Sequence, residues 1–109
     1  MKVHTVLGPG LLESAYHKCL AHELRRRGFG VQSQVEVPIE YGGTVIDIAY
    51  RIDLLVEGLV IVEVKAVAKI LPVHEAQLLS YLRLSKKPVG LLINFNEVHL
   101  RDGIRRIAN

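Results

Sequence analysis

The stretch that decides the fold is YRIDLLVEGLVIVEVK, which spans residues 50–65. Apolar residues alternate with other residues on both sides of a short turn-like segment, as expected of two joined strands. A two-residue loop would send the apolar side chains of the two strands to opposite faces of the sheet. A three-residue loop, residues 57–59, pairs Val56 with Val60 and collects those side chains on one face. The sequence therefore predicts an antiparallel hairpin with a three-residue loop.

The same register brings charged residues together on the other face. Asp53 lies directly opposite Glu63, and Arg51 lies opposite Lys65. Glu63 and Lys65 are two residues apart on one strand, so their side chains point to the same side. Two interpretations follow: a cross-strand salt-bridge cluster, or a pair of carboxylates that holds a metal ion. Because charge at a half-buried strand position is costly, the metal interpretation is favoured.

A divalent cation between Asp53 and Glu63 would explain why two carboxylates lie so close together. Mg²⁺ and Mn²⁺ favour such oxygen ligands and complete their coordination with water. A bound ion lowers the pKa of a water ligand and stabilises charge on a phosphate. Lys65 would orient that water, help to deprotonate it or neutralise charge in the transition state.

The remaining segments complete an α/β domain. A helix is expected over residues 11–27, and Pro72 suits the first turn of a second helix that continues to residue 84. Residues 89–95 form an apolar run typical of an interior strand, so the second helix indicates a parallel crossover. The tail, residues 100–109, is expected to form a short helix or an extended cap. The order αβββαβ predicts helices around a mixed sheet, in one domain over residues 1–109.

The first hairpin is predicted from Gly42-Gly43, which reads as a two-residue turn. Its register pairs Ile39 with Ile46 and Val37 with Ile48. Alternate residues from Ile46 to Val56 are then expected to share one apolar face.

Two helices carry further candidates for the site. Glu13 borders the buried side of the first helix and would reach the site as an extra metal ligand. The alternative is an ordinary first-turn glutamate that the helix dipole favours. Gln77 and Tyr81 share one side of the second helix with His74, since residues three and four apart are neighbours there. This row would hold substrate or metal-bound water, or it is only the polar margin of the helix.

The composition excludes several classes of protein. The chain has 109 residues, half of them hydrophobic, but no apolar run that would span a bilayer and no recognisable signal peptide. Cys19 is the only cysteine, so no internal disulfide forms and a cytoplasmic location is expected. The five histidines are scattered, which argues against structural zinc. The net charge of +3 is compatible with a nucleic-acid partner, and the apolar richness with a homodimer.

Several blocks of the sequence resemble the GxxExxY protein family. GLLESAY, residues 10–16, matches the signature that names the family. Other blocks follow in the family's order at residues 50–56, 62–65, 74–79 and 90–95. The resemblance covers nearly the whole chain. This family is similar to the PD-(D/E)xK nucleases, so the resemblance implies their restriction-endonuclease-like core of αβββαβ order.

The resemblance implies roles at matching positions. Asp53 and Glu63 would be the metal-binding acids, and Lys65 would be the catalytic lysine. Glu13 would match the acid that the first helix often contributes. Gln77 would match the helix residue often found beside the catalytic site.

Three further residues are expected to support the site. Tyr16 belongs to the signature without an assigned role, and Arg51 and Tyr81 are neighbours of the expected catalytic residues. Family members usually have more helix before the Gly-Pro-Gly segment at residues 8–10. The N-terminus of this chain is therefore expected to be truncated or alternatively started.

The resulting hypothesis is a nuclease-like enzyme that uses Mg²⁺ or Mn²⁺ to hydrolyse phosphodiester bonds, with DNA favoured as the substrate. An alternative is a non-catalytic module that has kept the nuclease fold and binds nucleic acid or a protein partner. The intact set of two acids and a lysine argues against that alternative. A third interpretation is a dimeric interaction protein whose polar cluster is only a salt-bridge network.

Overall fold

Three α-helices, five strands and one 3₁₀ turn make up the computed structural model, which describes all of residues 1–109. In chain order these elements are α1 (Lys2–Leu7), α2 (Glu13–Arg26), β1 (Val31–Tyr41), β2 (Thr44–Val56), β3 (Val60–Lys65), α3 (Pro72–Ser85), β4 (Val89–Asn94), the 3₁₀ turn (Leu100–Gly103) and β5 (Ile104–Ala108). The ends of α2 and α3 lie within two residues of the predicted helix ends. None of the helices has the length and apolarity that crossing a membrane requires.

The five strands form one mixed sheet whose spatial order is the chain order, β1 to β5. β1, β2 and β3 are antiparallel neighbours, β3 is parallel to β4, and β5 closes the sheet as an antiparallel edge strand. The parallel pair joined through α3 is the predicted crossover. The α/β class and the order of the restriction-endonuclease-like core are therefore confirmed. The tail contains both predicted forms, a short 3₁₀ turn followed by an extended strand.

The three-residue loop between β2 and β3 is present as predicted. Val56 pairs with Val60, and Leu54 pairs with Val62. Glu57 and Gly58 both adopt positive φ angles, of 54° and 66°, which turn the chain within so few residues. This loop fixes the register of the two strands that carry the charged residues.

The central part of the sheet is buried on both faces, by different helices, whereas residues 44–51 of β2 are exposed. One core cluster joins α2 to Leu54, Val62 and Val64. The other joins α3 to Ile52 and Ile61. The prediction that alternate residues of β2 share a single apolar face is therefore wrong, because Ile52 and Leu54 lie in different clusters. A sheet covered on both sides needs apolar side chains on both sides.

The first hairpin also departs from its predicted register. Ile39 pairs with Ile46 as expected, but Val37 pairs with Tyr50 rather than with Ile48. The register shifts between Pro38 and Ile39, so two additional residues of β2 bulge out of the ladder. Proline has no N–H to donate to a ladder, which makes this a favourable place for a bulge.

Candidate active site

Asp53 and Glu63 lie where β2 and β3 move apart. The regular pairing of these strands ends at Leu54 and Val62. Beyond that pair, the backbone N–H of Asp53 donates to Oε1 of Glu63 over 3.2 Å. The N–H of Val64 donates to Oδ2 of Asp53 over 2.7 Å. The two side chains thus replace the missing ladder bonds, and each acid is held by the backbone of the opposite strand.

Each carboxylate keeps one oxygen that accepts no hydrogen bond from the protein. The two bonds above use Oε1 of Glu63 and Oδ2 of Asp53, which leaves Oε2 and Oδ1. No buried side-chain oxygen or nitrogen of the protein lacks a hydrogen-bond partner, so each of the two remaining oxygens keeps some contact with solvent. Two fixed carboxylates with one open oxygen each are hard ligands of the kind that Mg²⁺ and Mn²⁺ bind.

The electrostatics of this pair favour a bound cation. Glu63 is only 5% exposed, and burial is the largest cause of the rise of its pKa to about 8. The negative charge of Asp53 raises that pKa further, whereas the hydrogen bond from the Asp53 backbone and the charge of Lys65 lower it. None of the four salt bridges of the protein includes Asp53, Glu63 or Lys65. The salt-bridge cluster considered from the sequence is therefore not formed.

Lys65 lies on the same strand as Glu63, on the side that carries the carboxylate pair. It follows Glu63 by two residues on β3, so its half-buried side chain leaves the same side of the strand. On its other side it pairs in register with Asn94 of β4. Its ammonium group forms no ion pair with any protein carboxylate, which leaves it available to a bound anion.

Arg51 lies away from these three residues. It is exposed and pairs with Glu36 on β1, with a guanidinium-to-carboxylate distance of 3.8 Å. The predicted position opposite Lys65 is not realised, because the pairing of β2 with β3 ends before it.

Glu13 is exposed in the first turn of α2. Leu54 and Val64 pack on the α2 side of the sheet, whereas Ile61, two residues before Glu63 on the same strand, packs against α3. No three His, Cys, Asp or Glu side chains of the protein are gathered closely enough to share a metal ion. The structure therefore does not bring Glu13 together with Asp53 and Glu63, and a ligand role for Glu13 stays a prediction.

Gln77 and Tyr81 lie on α3, near the carboxylate pair. Tyr81 is buried, and its ring centroid is 5.5 Å from that of Tyr50 on β2. Burial raises the pKa of the Tyr81 hydroxyl, and the charges of Glu63 and Asp53 raise it further. Of the predicted helix row, Tyr81 is thus close enough to the carboxylates for their charges to act on it, and a role for the exposed Gln77 stays a prediction.

His74, the remaining member of that row, serves the helix end instead. Its Nδ1 accepts the N–H of Leu71 over 3.0 Å, which satisfies a backbone group before the first turn of α3.

Tyr16 holds the chain that precedes α2. It is fully buried, and its ring stacks on Phe95 with centroids 4.7 Å apart. Its hydroxyl donates to the carbonyl oxygen of Gly8 and accepts the N–H of Leu11. The tyrosine of the signature therefore fastens the Gly-Pro-Gly segment to the core.

Asn94 was not among the candidates from the sequence. It is fully buried at the end of β4, where its side chain accepts the N–H of Val67 over 3.0 Å and donates to the carbonyl oxygen of Val67 over 2.9 Å. These two bonds fix the segment that directly follows Lys65. The one signal in the sequence is a polar residue inside the apolar run of residues 89–95.

The comparisons with known proteins agree with this geometry. A family model described as the PD-(D/E)XK nuclease superfamily matches residues 1–107. Members of that superfamily generally use divalent metals. No curated protein and no solved structure matches the chain.

Proposed function

This chain belongs to the PD-(D/E)XK nuclease superfamily, and from that premise we propose that it hydrolyses phosphodiester bonds of DNA with Mg²⁺ or Mn²⁺. Superfamily membership supports a nuclease-like function in general. The observation that carries the proposal is the pair of Asp53 and Glu63, each fixed by the opposite strand and each with one open oxygen. Lys65 beside them completes the residue types that metal-assisted hydrolysis requires.

The roles of the side chains follow from their surroundings. Asp53 and Glu63 would hold the ion through their open oxygens, and the ion would supply positive charge at the phosphate and a water of lowered pKa. Lys65 would orient that water or neutralise the charge that develops on the phosphate. Glu13 is not needed for this proposal, because Mg²⁺ usually keeps several of its water ligands.

The charge of the protein favours a polyanionic substrate. The chain carries a net charge of +3, and the ammonium group of Lys65 has no carboxylate partner. A polyanion of regularly spaced phosphates suits such a protein.

Hydrolysis assays with Mg²⁺ and with Mn²⁺ on labelled DNA and RNA test the proposal. Asp53→Ala and Lys65→Ala are expected to abolish cutting. Asp47→Ala and Lys69→Ala are the matched controls, since each replaces the same residue type at an exposed position nearby, and both should cut like the wild type.

Two outcomes would contradict the proposal. Cutting that survives both Asp53→Ala and Lys65→Ala would come from another site or from a contaminating nuclease. Binding of nucleic acid without cutting, in either metal, would favour the alternative of a non-catalytic module.

A further inference from the structure

A cleft of about 310 Å³ lies between β2 and α3 and shares Gln77 and Tyr81 with the candidate active site. Its walls consist of Tyr50, Val73, Ala76, Gln77, Ser80 and Tyr81. Tyr81 links the cleft to the carboxylate pair, because it packs in the same core cluster as Ile52 and Ile61, which lie next to Asp53 and two residues before Glu63. Whatever occupies this cleft is therefore a neighbour of whatever binds to the carboxylates.

Two tyrosine rings form the aromatic wall of the cleft, one of them buried and the other partly exposed. Tyr81 is buried against the core, whereas Tyr50 is 44% exposed. Their rings are inclined by 44° with centroids 5.5 Å apart, so Tyr81 supports Tyr50 from one side. The exposed part of the Tyr50 ring is left for a planar partner.

The opposite wall supplies polar groups at the edge of such a partner. The side-chain amide of Gln77 carries both a donor and an acceptor. The Ser80 hydroxyl donates to the carbonyl oxygen of Ala76 over 3.1 Å and keeps its lone pairs as acceptors. Val73 and Ala76 add apolar surface to the lining of the cleft. The cleft thus combines a stacking surface with hydrogen-bonding groups at its edge, which is the chemistry that recognises a heterocyclic base.

We propose that this cleft binds an unpaired nucleobase of the same strand whose phosphate lies beside Lys65, next to the ion that Asp53 and Glu63 would hold. The proposal rests on the function proposed above, and it narrows the substrate to single-stranded, frayed or otherwise unpaired nucleic acid. A base inside a duplex is stacked and paired, so it would reach Tyr50 only at the cost of unstacking. Because the cleft would recognise the base, which DNA and RNA both carry, the proposal applies to both.

The test is a binding experiment that does not depend on hydrolysis. A single-stranded oligonucleotide that contains 2-aminopurine, a fluorescent base whose emission falls when it stacks, is titrated with the full chain in EDTA. We expect quenching by the wild type and by Tyr50→Phe, which keeps the ring. Tyr50→Ala should bind at least about fivefold more weakly, as expected for loss of one base–aromatic stack.

Two further variants separate the cleft from general effects on the fold. Ser80→Leu fills the cleft from an exposed helix position where leucine is a good helix former, and it should also weaken binding. Tyr41→Ala removes a tyrosine of the same hairpin that is 79% exposed and outside the cleft, and it should bind like the wild type.

The outcomes distinguish this proposal from the proposed hydrolysis. Equal quenching by Tyr50→Ala and the wild type would overturn the base site, and so would equal affinity for the single strand and its duplex. Neither result would bear on hydrolysis, which the cleavage assay tests separately. Quenching that depends on Tyr50 in a protein that never cuts with Mg²⁺ or Mn²⁺ would support the base site and count against hydrolysis.

Discussion

The backbone N–H of Asp53 donates to a carboxylate oxygen of Glu63 over 3.2 Å, at the point where their strands separate. The reciprocal bond runs from the N–H of Val64 to Asp53 over 2.7 Å. Each carboxylate therefore has two roles: it carries charge, and it accepts a hydrogen bond from the backbone of the other strand. Amide replacements, which keep an acceptor oxygen for those N–H groups, test the charge alone more cleanly than alanine does.

Metal affinity should depend on both acids. Asp53→Asn and Glu63→Gln keep the shape and the acceptor oxygen of each side chain but remove a negatively charged ligand. Each should lower the affinity for Mn²⁺ by at least the roughly 10–100-fold that loss of an outer-shell partner costs. Isothermal titration calorimetry measures the change, and Asp47→Asn, at an exposed position of the same strand, is the control. Unchanged Mn²⁺ affinity in both variants would rule out this pair as the metal site.

The stability of the metal-free protein should fall as the pH rises. Burial and the charge of Asp53 raise the pKa of Glu63 from 4.5 to about 8. Between these values folded Glu63 holds a proton that the unfolded chain has released, so the free energy of unfolding decreases, by up to about 1.4 kcal/mol per pH unit. Below the lower value both states are protonated and the contribution is constant.

Urea denaturation in EDTA between about pH 5 and about pH 8 checks this dependence. Glu63→Gln cannot ionise and should flatten the profile, whereas Glu40→Gln, at an exposed position of β1, should follow the wild type. A Glu63→Gln profile that falls in parallel with the wild type would mean that another group is responsible.

The hairpin that carries the site was predictable because its signals are local. The alternation of apolar residues in the two strands agrees with only one loop length, three residues. That loop pairs Val56 with Val60, and this pairing brings Asp53 near Glu63. The end of the ladder at Leu54 was not predictable, since side-chain hydrogen bonds replace the expected backbone bonds. The adjacent apolar pair Leu54-Leu55 was the one hint that β2 buries both of its faces.

Residues that act over long sequence separations were the hardest to predict. Asn94 bonds to a residue 27 positions away, and nothing in its local pattern identifies that partner. The role of Tyr16 depends on the position of Phe95, which lies far away in the sequence, directly after β4. Arg51 was misplaced because the predicted ladder was extended beyond the point where the strands separate.

Tyr16→Phe should weaken the fold without weakening the metal site. The variant keeps the stack on Phe95 but loses the hydroxyl that bridges Gly8 and Leu11. Loss of these bonds at a buried position should lower the free energy of unfolding by about 1–3 kcal/mol. Urea denaturation measures this loss, and Tyr41→Phe, at the exposed end of β1, should show none. A large loss of Mn²⁺ affinity in folded Tyr16→Phe would instead assign the signature tyrosine to the site.

Asn94→Ala should cost more stability than the same change at Asn96. The side chain of Asn94 is fully buried and satisfies both the N–H and the carbonyl oxygen of Val67, over 3.0 and 2.9 Å. Alanine leaves the N–H of Val67 without a partner and its carbonyl oxygen with only a 3.4 Å bond from Asn96, which should lower the free energy of unfolding by about 2–4 kcal/mol. Asn96 is half-buried. It donates to the same carbonyl oxygen over 3.4 Å and accepts the N–H of the exposed Gly10 over 3.1 Å, so water can replace both bonds and the loss should be about 1 kcal/mol or less.

The same pair of variants tests whether Asn94 positions the active site. The segment that Asn94 fixes begins two residues after Lys65, so its release should loosen the lysine while both acids remain held by β2 and β3. Folded Asn94→Ala should therefore bind Mn²⁺ like the wild type but turn over more slowly, by about tenfold or more, as expected when a catalytic group is misplaced. Equal turnover of Asn94→Ala and Asn96→Ala, measured well below their unfolding midpoints, would restrict Asn94 to a role in stability.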